Sequence, residues 1–462
     1  ISKKKISRNY MITKSARPSF IIIVIVFFGF ALSPLVSKSQ DVKTLTLQET
    51  IDLAVKNSHL LKAAVARNDQ ASAQLKQAIE NKLPNADVSG SYLYLANPNI
   101  GLKTSAASGG SDSSGSKKSI PSVHQAMYGI LNVSLPLYAG GKIRYGIESA
   151  KYLQQATMLD AEQDKEAVVL NAINAYVNLY KAAVTVDVVK ENLRQSREQD
   201  SVFSRLEENG LLARNDLLKS ELHTSNIELS LLDAQSNLKT ATVNMNLMLG
   251  YPESLKLNVD STGFDKKISI KTIDEYEQSA LQSRKDIMAL AFRTKAAHTA
   301  ISLAKSDLYP SIALSGGYIA ANIPHLITIT NAANIGVGLR YSISSLWKTK
   351  SKVAEAKSRE TELLANQAEL DDQVKLQVNQ SFEDVLLSQK KTQVYEKAVA
   401  QATENYRITK NKYDNNLVNT TELLDANVAL LQSKINLAVA KADVLLAYSK
   451  LLETTGTLTN NQ

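Results

Sequence analysis

Histidine is the residue type best suited to proton transfer or metal binding, and the chain has five of them. Metal sites that use histidine place their ligands at short, recurring spacings. The five are instead scattered over predicted helices and loops: His59, His124, His223, His298 and His325. Cysteine is absent, and so are the Gly-x-Ser-x-Gly elbow, the dinucleotide fingerprint and the His-Glu-x-x-His motif. We therefore expect neither an enzyme nor a cofactor.

The other candidates for chemistry have simpler explanations. Asp371-Asp372 lies in the middle of a predicted helix, where exposed surface charge explains it. The glycine- and serine-rich residues 109–116 could cradle a phosphate, but only between a strand and a helix that begins with Lys-Ser or Lys-Thr. Lys117-Lys118-Ser119 is followed by Ile120-Pro121 instead. We therefore interpret residues 97–125 as an exposed loop that folding does not need.

The net charge of +8 is concentrated at the N-terminus. Residues 1–39 contain seven basic and no acidic residues, which leaves 46 basic and 45 acidic residues in the remainder. Such a balance argues against a nucleic-acid partner. The apolar run 20–32 is shorter than the roughly 20 residues of a membrane-spanning helix and ends in small residues. It predicts a cleaved signal peptide over residues 1–39, with an uncleaved anchor as the alternative.

Apolar residues at helical spacing predict the elements that dominate the chain. A first helical segment, 44–82, is interrupted at Asn57-Ser58. The remaining segments cover 140–208, 216–249, 273–308, about 347–414 and about 420–452. In two of these, apolar residues recur three and four apart, as in the seam of a coiled coil. At about 1.5 Å per residue, the longest would extend on the order of 100 Å.

Four segments alternate apolar and polar residues with a period of two, which is typical of β-strands. We expect them at about 85–96, 126–137, 311–321 and 333–343, with about twelve residues joining the last two. Each has the length of a tilted membrane strand, roughly 9–11 residues. Four strands cannot close a barrel, and open sheet edges are not tolerated in lipid. Copies of the chain must complete the barrel, and three copies would supply twelve strands.

The order of elements occurs twice, which makes the chain a tandem repeat. An offset of 226 residues aligns the segments around the strands, and an offset of 206 aligns the turns between the long helices. We divide the chain into a first repeat (40–250), a linker (251–271), a second repeat (272–453) and a C-terminal tail (454–462).

Each repeat is expected to contain a helical hairpin whose tip lies at the end farthest from the strands. The tips are marked by Asn209-Gly210-Leu211 and Asn415-Asn416-Leu417, because glycine and asparagine tolerate left-handed backbone. Threonine after the second tip, in Thr420-Thr421, is expected to cap the next helix.

In this order of elements the chain resembles the TolC-like outer-membrane efflux proteins, over nearly everything from residue 45 to 457. The Leu-Pro and Tyr-Pro entries to the strands, the segment Pro136-Leu137-Tyr138-Ala139-Gly140-Gly141 and the two tips contribute to the resemblance. It implies an α+β membrane protein in which three chains form a 12-stranded outer-membrane β-barrel continued by a long periplasmic α-helical barrel. It also implies a passive exit duct that works with a periplasmic adaptor protein and an inner-membrane transporter, surrounded by outer-membrane lipid.

The same resemblance assigns roles at the tips. Tyr413 and Asp216 match a tyrosine and an aspartate whose contact closes the periplasmic end of the duct. Glu422 and Asp425 match an acidic ring at the constriction. A second closing contact of the family falls on Val418 and Asn215 and is absent here, and Ser344-Ser345-Leu346-Trp347 replaces the Gly-Gly pair in the second repeat. The residues that turn the two tips, 209–211 and 415–417, would contact the adaptor.

Alternatives remain for both the acids and the whole chain. Acidic residues near a helix N-terminus complement the helix dipole, which by itself could explain Glu422 and Asp425. An exported structural or adhesive coiled coil would explain the helices but not the four duplicated strands. A simple diffusion porin does not fit a chain that is more than half helical.

Overall fold

The computed structural model describes residues 43–96, 124–261, 264, 268–324 and 327–460. The predicted signal peptide and most of the glycine-rich loop lie outside these residues. The rest is an elongated assembly of very long helices attached at one end to a small antiparallel sheet. Among the helices so described, none is both long and apolar enough to cross a bilayer.

Eight α-helices and six strands make up this part of the chain. The helices are α1 (Leu47–Asn57), α2 (His59–Glu80), α3 (Lys142–Glu208), α4 (Arg214–Leu249), α5 (Ile273–Ser283), α6 (Lys285–Lys305), α7 (Ser345–Asp414) and α8 (Thr420–Thr454). The strands are β1 (Lys43–Leu45), β2 (Asn85–Tyr94), β3 (Gln125–Ala139), β4 (Leu257–Val259), β5 (Ser311–Ile323) and β6 (Ile327–Arg340). The predicted break at Asn57-Ser58 is confirmed, and the 273–308 segment has a matching break at Arg284.

The main sheet has the order β2-β3-β5-β6, and every neighbouring pair is antiparallel. Val88 lies opposite Leu131, which lies opposite Tyr318 on the next strand. The apolar residues of the four strands therefore share one face, as the alternation predicted. Within the described part of the chain, the outer edges of β2 and β6 have no strand beside them.

The predicted bounds of the fourth strand, 333–343, were wrong. β6 begins at Ile327 and ends at Arg340, so only residues 324–326 join it to β5 instead of about twelve. A register shift opposite Ile319 and Ala321 places an extra residue in β6, and Asn331 there has a φ of 61°. The Tyr318 hydroxyl accepts from the Asn331 amide at 3.1 Å, which holds the bulge in place. The bulge interrupts the alternation, so the first half of the strand was missed.

A second, parallel sheet was also missed. β1 pairs with β4 from the predicted linker, with Lys43 opposite Leu257. The hydroxyl of Tyr176 on α3 donates to the Leu45 carbonyl at 3.3 Å and to the Asp260 carbonyl at 2.9 Å. Two three-residue strands carry no periodic signal, and their pairing depends on a partner about 210 residues away.

The repeat is visible in the packing. The buried residues Val374, Val378, Ser381 and Val385 of α7 lie 206 positions after four residues that are all buried in α3: Val168, Ala172, Ala175 and Leu179. At the ends of α4 and α8, Gly250 and Gly456 both have positive φ, 75° and 67°. Gly250 packs on Asn57, at the break between α1 and α2. Gly456 packs on Ser283 and Arg284, at the corresponding break between α5 and α6.

Candidate functional site

The two hairpin tips have the same backbone geometry. Gly210, with a φ of 73°, follows α3, and Asn416, with a φ of 58°, follows α7. The next amide donates back over five residues in each, from Leu211 to the Leu206 carbonyl at 2.8 Å and from Leu417 to the Lys412 carbonyl at 2.9 Å. This hydrogen-bond pattern is a Schellman motif, which satisfies carbonyls that the end of the helix would leave free.

Asparagine side chains close both helices in the same way. Asn209 Nδ2 donates to the Arg205 carbonyl at 2.6 Å, and Asn415 Nδ2 donates to the Asn411 carbonyl at 2.7 Å. The leucines after the turns, Leu211 and Leu417, are 75% and 72% exposed. Each tip therefore presents one unpartnered leucine at the far end of the molecule.

The expected threonine cap after the second tip was wrong. The side chain of Asn419 caps α8, because its Oδ1 accepts from the Glu422 amide at 3.0 Å. Thr420 is instead the first helical residue, is buried, and lies with its Oγ1 3.4 Å from the Tyr413 hydroxyl. Asparagine caps at least as well as threonine, so the sequence offered two candidates one residue apart.

A small apolar cluster joins the two hairpins just behind the tips. Phe203 of α3, Leu217 of α4 and Leu423 of α8 are its buried members, and Leu212, Tyr406 and Tyr413 pack against them. The rings of Phe203 and Tyr413 stack with their centroids 5.5 Å apart. We call these six residues the tip cluster. It ties α7 and α8 to α3 and α4 within one chain.

Tyr413 and Asp216 are brought near each other, as members of adjoining hairpins. Burial is the main cause that raises the pKa of Tyr413, and the negative charge of Asp216 contributes to the same direction. The Tyr413 hydroxyl has its contact with Thr420. The Asp216 carboxylate pairs with Lys219 at 3.4 Å. Within one chain, therefore, the two groups lie close while each uses another partner.

Glu422 and Asp425 are both exposed residues in the first two turns of α8. They are three residues apart, so their side chains lie on the same face of the helix. Leu423, Leu424 and Ala426 between and beside them are buried. The structure thus keeps the two carboxylates in solvent near the tip.

One functional candidate had no signal in the sequence. His223 of α4 lies near acidic residues of α3 and α8, and its buried Nε2 atom has no hydrogen-bond partner among the described residues. Burial is the largest cause that lowers its pKa, and the nearby carboxylates of Asp200 on α3 and Asp425 on α8 oppose that shift. Asp200 itself accepts from Ser220 at 2.5 Å. A lone histidine in an amphipathic helix looks like any other polar residue until the helices are assembled.

No group of three or more histidine, aspartate or glutamate side chains among the described residues is placed to hold a metal ion. The tips instead combine exposed leucines, exposed carboxylates and a small joining core.

Comparison with known proteins matches most of the chain to one protein family. The family described as outer membrane efflux protein matches residues 50–251 and 277–457. The outer membrane protein TolC of Salmonella enteritidis is 22% identical over 455 residues, 94% of this chain and 86% of that protein. The outer membrane efflux protein BepC of Brucella suis is 23% identical over 335 residues, 71% of both chains.

The fold is also similar to that of a protein whose structure has been solved. The structure of the outer membrane protein VceC from Vibrio cholerae superimposes with a TM-score of 0.72 at 18% identity, covering 89% of this chain and 96% of that one. Both halves of the chain are matched by the family, and the fold agrees over 89% of the chain. The chain belongs to the outer membrane efflux protein family, and it is an outer-membrane protein with a large periplasmic portion.

Proposed function

We propose that the chain is one third of a homotrimeric exit duct that passively conducts substrates from the periplasm across the outer membrane. The observation that carries this proposal is the four-stranded sheet with two open edges, β2 and β6, in a protein of the outer membrane. Unpaired strand edges are not tolerated in lipid. If β6 of one copy pairs with β2 of the next, three copies close a barrel of twelve strands.

The helices support the same assembly. In one chain α3 is covered on both sides, by α2 and α6 near the strands and by α4 and α8 near the tips. The helices α4 and α7 lie at the two sides of the chain and carry exposed leucines. Leu218, Leu222, Leu229 and Leu232 form a row on α4, and Leu364, Leu376 and Leu387 are exposed on α7. A neighbouring copy would cover these leucines, since α7 of one chain then meets α2 and α4 of the next.

In this assembly the six hairpin tips of the trimer surround the periplasmic mouth. We assign Tyr413 and Asp216 to the contact that holds the mouth closed, and Glu422 and Asp425 to a ring of six carboxylates that favours cations. Residues 209–211 and 415–417, with exposed Leu211 and Leu417, contact a periplasmic adaptor protein that connects the duct to an inner-membrane transporter.

The proposal is tested by inserting purified protein into a planar bilayer and measuring conductance. We expect discrete conductance steps that are small in the parent protein. They should grow in the double variant Tyr413→Phe with Asp216→Ala, because a contact worth about 1 kcal/mol that favours the closed mouth is removed. Protein that inserts without conducting in either form would contradict the duct.

A structural coiled coil without a channel is not favoured. It would give the four apolar strand faces nothing to contact, whereas the outer-membrane location gives them lipid.

A further inference from the structure

The positive charge of the described chain is concentrated where the strands meet the helices. The segments 81–84, 138–144, 305–310 and 340–352 contain one acidic residue, Asp307, and eight basic residues. All eight basic side chains are exposed: Lys82, Lys142, Arg144, Lys305, Arg340, Lys348, Lys350 and Lys352. Since the chain after residue 39 has 46 basic and 45 acidic residues, this excess is local. We call these four segments the basic collar.

At the centre of the basic collar, two lysines share one carboxylate. Lys142 Nζ lies 3.1 Å from Asp307 Oδ1, and Lys352 Nζ lies 2.6 Å from Asp307 Oδ2. Lys142 and Lys352 belong to α3 and α7, and Asp307 lies between them in the turn from α6 to β5. The cluster carries one net positive charge. The lysine side chains are 61% and 59% exposed, so their remaining ammonium donors are open to solvent.

The backbone around this cluster is fixed. Gly140 has a φ of 62°, and a Cβ atom there would lie 2.6 Å from the Ser306 carbonyl oxygen and 2.8 Å from Tyr309 Cβ. Only glycine allows the end of β3 to approach the Asp307 turn this closely. The two lysines therefore project from a closely packed junction, Lys142 just after the central strand β3 and Lys352 on the helix that follows β6.

Exposed aromatic side chains surround the same junction. Tyr138, Tyr309 and Trp347 are 47%, 57% and 62% exposed, and Trp347 is the only tryptophan of the chain. Tyr138 lies opposite Ile312 on the apolar face of the sheet. Tyrosine and tryptophan prefer the boundary between hydrocarbon and headgroups, where one end of the ring is apolar and the other is wet.

We propose that the basic collar binds the phosphate groups of anionic lipids in the periplasmic leaflet of the outer membrane, with Lys142 and Lys352 as its central ligands. This proposal rests on the proposed duct, which places the strands in the bilayer and the helices outside it. Strands of 10 to 15 residues reach across the hydrocarbon layer, so their helix-side ends lie at headgroup depth. Two ammonium groups held on one aspartate leave a positively charged, donor-rich surface there, which suits a lipid phosphate.

The test reconstitutes the full-length protein into vesicles of phosphatidylcholine alone or with about 30 mol % phosphatidylglycerol. Thermal stability and the number of phosphatidylglycerol molecules retained by the detergent-extracted protein are measured. The anionic lipid should stabilise the parent and remain bound. The double variant Lys142→Gln with Lys352→Gln should retain about tenfold less of it and lose the difference in stability between the two vesicles.

Two further variants separate lipid binding from a purely structural ion pair. Asp307→Asn breaks the ion pairs but leaves both lysines, so it should keep or increase the effect of phosphatidylglycerol. Lys397→Gln with Lys410→Gln removes two exposed charges from α7 far from the strands and should behave like the parent. If the double variant at 142 and 352 keeps the parent's lipid-dependent difference, the proposal is wrong.

The source of the phosphate and the state of the duct are tested in the same samples. Inorganic phosphate added to phosphatidylcholine vesicles should not reproduce the stabilisation, and if it does, the collar binds soluble anions and not lipid. Failure to insert and conduct in either vesicle would overturn the duct together with the collar. Normal conductance without any lipid preference would overturn the collar alone.

Discussion

Asn416 stands in the second tip where glycine stands in the first, at Gly210, and both have left-handed backbone, with φ values of 58° and 73°. The two positions are 206 residues apart, the same offset that relates the buried residues of α3 and α7. Asparagine is the side-chain-bearing residue that tolerates this conformation best. The two turns thus have the same backbone conformation, which is adopted by glycine in one and by asparagine in the other.

That equivalence predicts that removing the side chain at the second tip is tolerated and that adding a β-branched side chain at the first tip is not. Asn416→Gly should leave the stability of the protein nearly unchanged or slightly raised, because the backbone strain disappears. Gly210→Val should destabilise the first tip by roughly 1–2 kcal/mol, since a β-branched residue resists positive φ. A Cβ atom at Gly210 would meet nothing within 4 Å, so any loss is due to the backbone and not to a clash. Thermal unfolding of both variants measures it, and equal effects at the two tips would contradict the equivalence.

Acidification should loosen the tips through His223. Burial lowers the pKa of His223 below its ordinary value of about 6.5, so the packed arrangement favours the neutral ring. The neutral His223 ring contributes fully to the stability of the packed helices above about pH 6.5. This contribution is lost as the pH falls through the lowered pKa of His223. Asp200 and Asp425, which face the ring from α3 and α8, oppose this shift without cancelling it.

Conductance should therefore rise in the parent protein as the pH falls from neutral through the lowered pKa of His223, and His223→Gln should remove most of that rise. His298→Gln is the matched control, because His298 is exposed and pairs with Glu360 at 2.7 Å, far from the tips. A rise of the same size in the His223 variant would show that another group controls it.

The acidic residues near the second tip should set ion selectivity. Glu422→Gln with Asp425→Asn removes six negative charges from a trimer while preserving side-chain size. We expect weaker cation selectivity and weaker block by trivalent cations, measured from reversal potentials and from titration with a trivalent ion. Both substitutions leave the Asn419 cap in place, since it uses the backbone amide of Glu422. If selectivity and block are unchanged while stability falls, the acids serve only the helix dipole.

The glycine-rich stretch is expected to be dispensable. Deletion of residues 104–118 should leave the yield of assembled protein nearly unchanged, because this composition offers almost nothing apolar to bury. The yield is measured by extraction from membranes followed by size analysis. A large loss of assembled protein would mean that the segment takes part in the barrel.

Sequence patterns predicted the long elements and their order because long, regular helices repeat a signal many times. α3 and α7 were expected within a few residues of their ends, and Asn57-Ser58 was identified as a break. The predictions were wrong where a single local feature determines the structure. The bulge at Asn331 concealed half of β6, and the choice between Asn419 and Thr420 as a cap depended on one side-chain contact.

The candidate site was predictable in part, for a similar reason. The turns at Asn209-Gly210 and Asn415-Asn416 follow from backbone preferences that a sequence displays. His223 does not, because its importance comes from Asp200 and Asp425 on two other helices. The sharing of Asp307 by Lys142 and Lys352 likewise depends on tertiary packing, because the two lysines are 165 and 45 positions away from Asp307 in the sequence.

The pairing of β6 with β2 of the next copy is the central claim, and disulfide crosslinking between these edges tests it most directly. The natural chain has no cysteine, so two introduced cysteines are the only ones present. Val88 on β2 and Ile335 or Val337 on β6 are 83%, 82% and 68% exposed and lie on the apolar face of open edges. Each pair combines Val88→Cys with one of the two β6 substitutions.

Oxidation of the outer-membrane protein, followed by denaturing electrophoresis, should give for at least one pair a ladder that ends at three chains. A disulfide forms only where the two Cα atoms come within about 7 Å, which neighbouring strands satisfy and distant ones do not. Single-cysteine variants should give at most dimers. A ladder that continues past three chains, or monomer alone from every pair, would contradict a closed trimeric barrel.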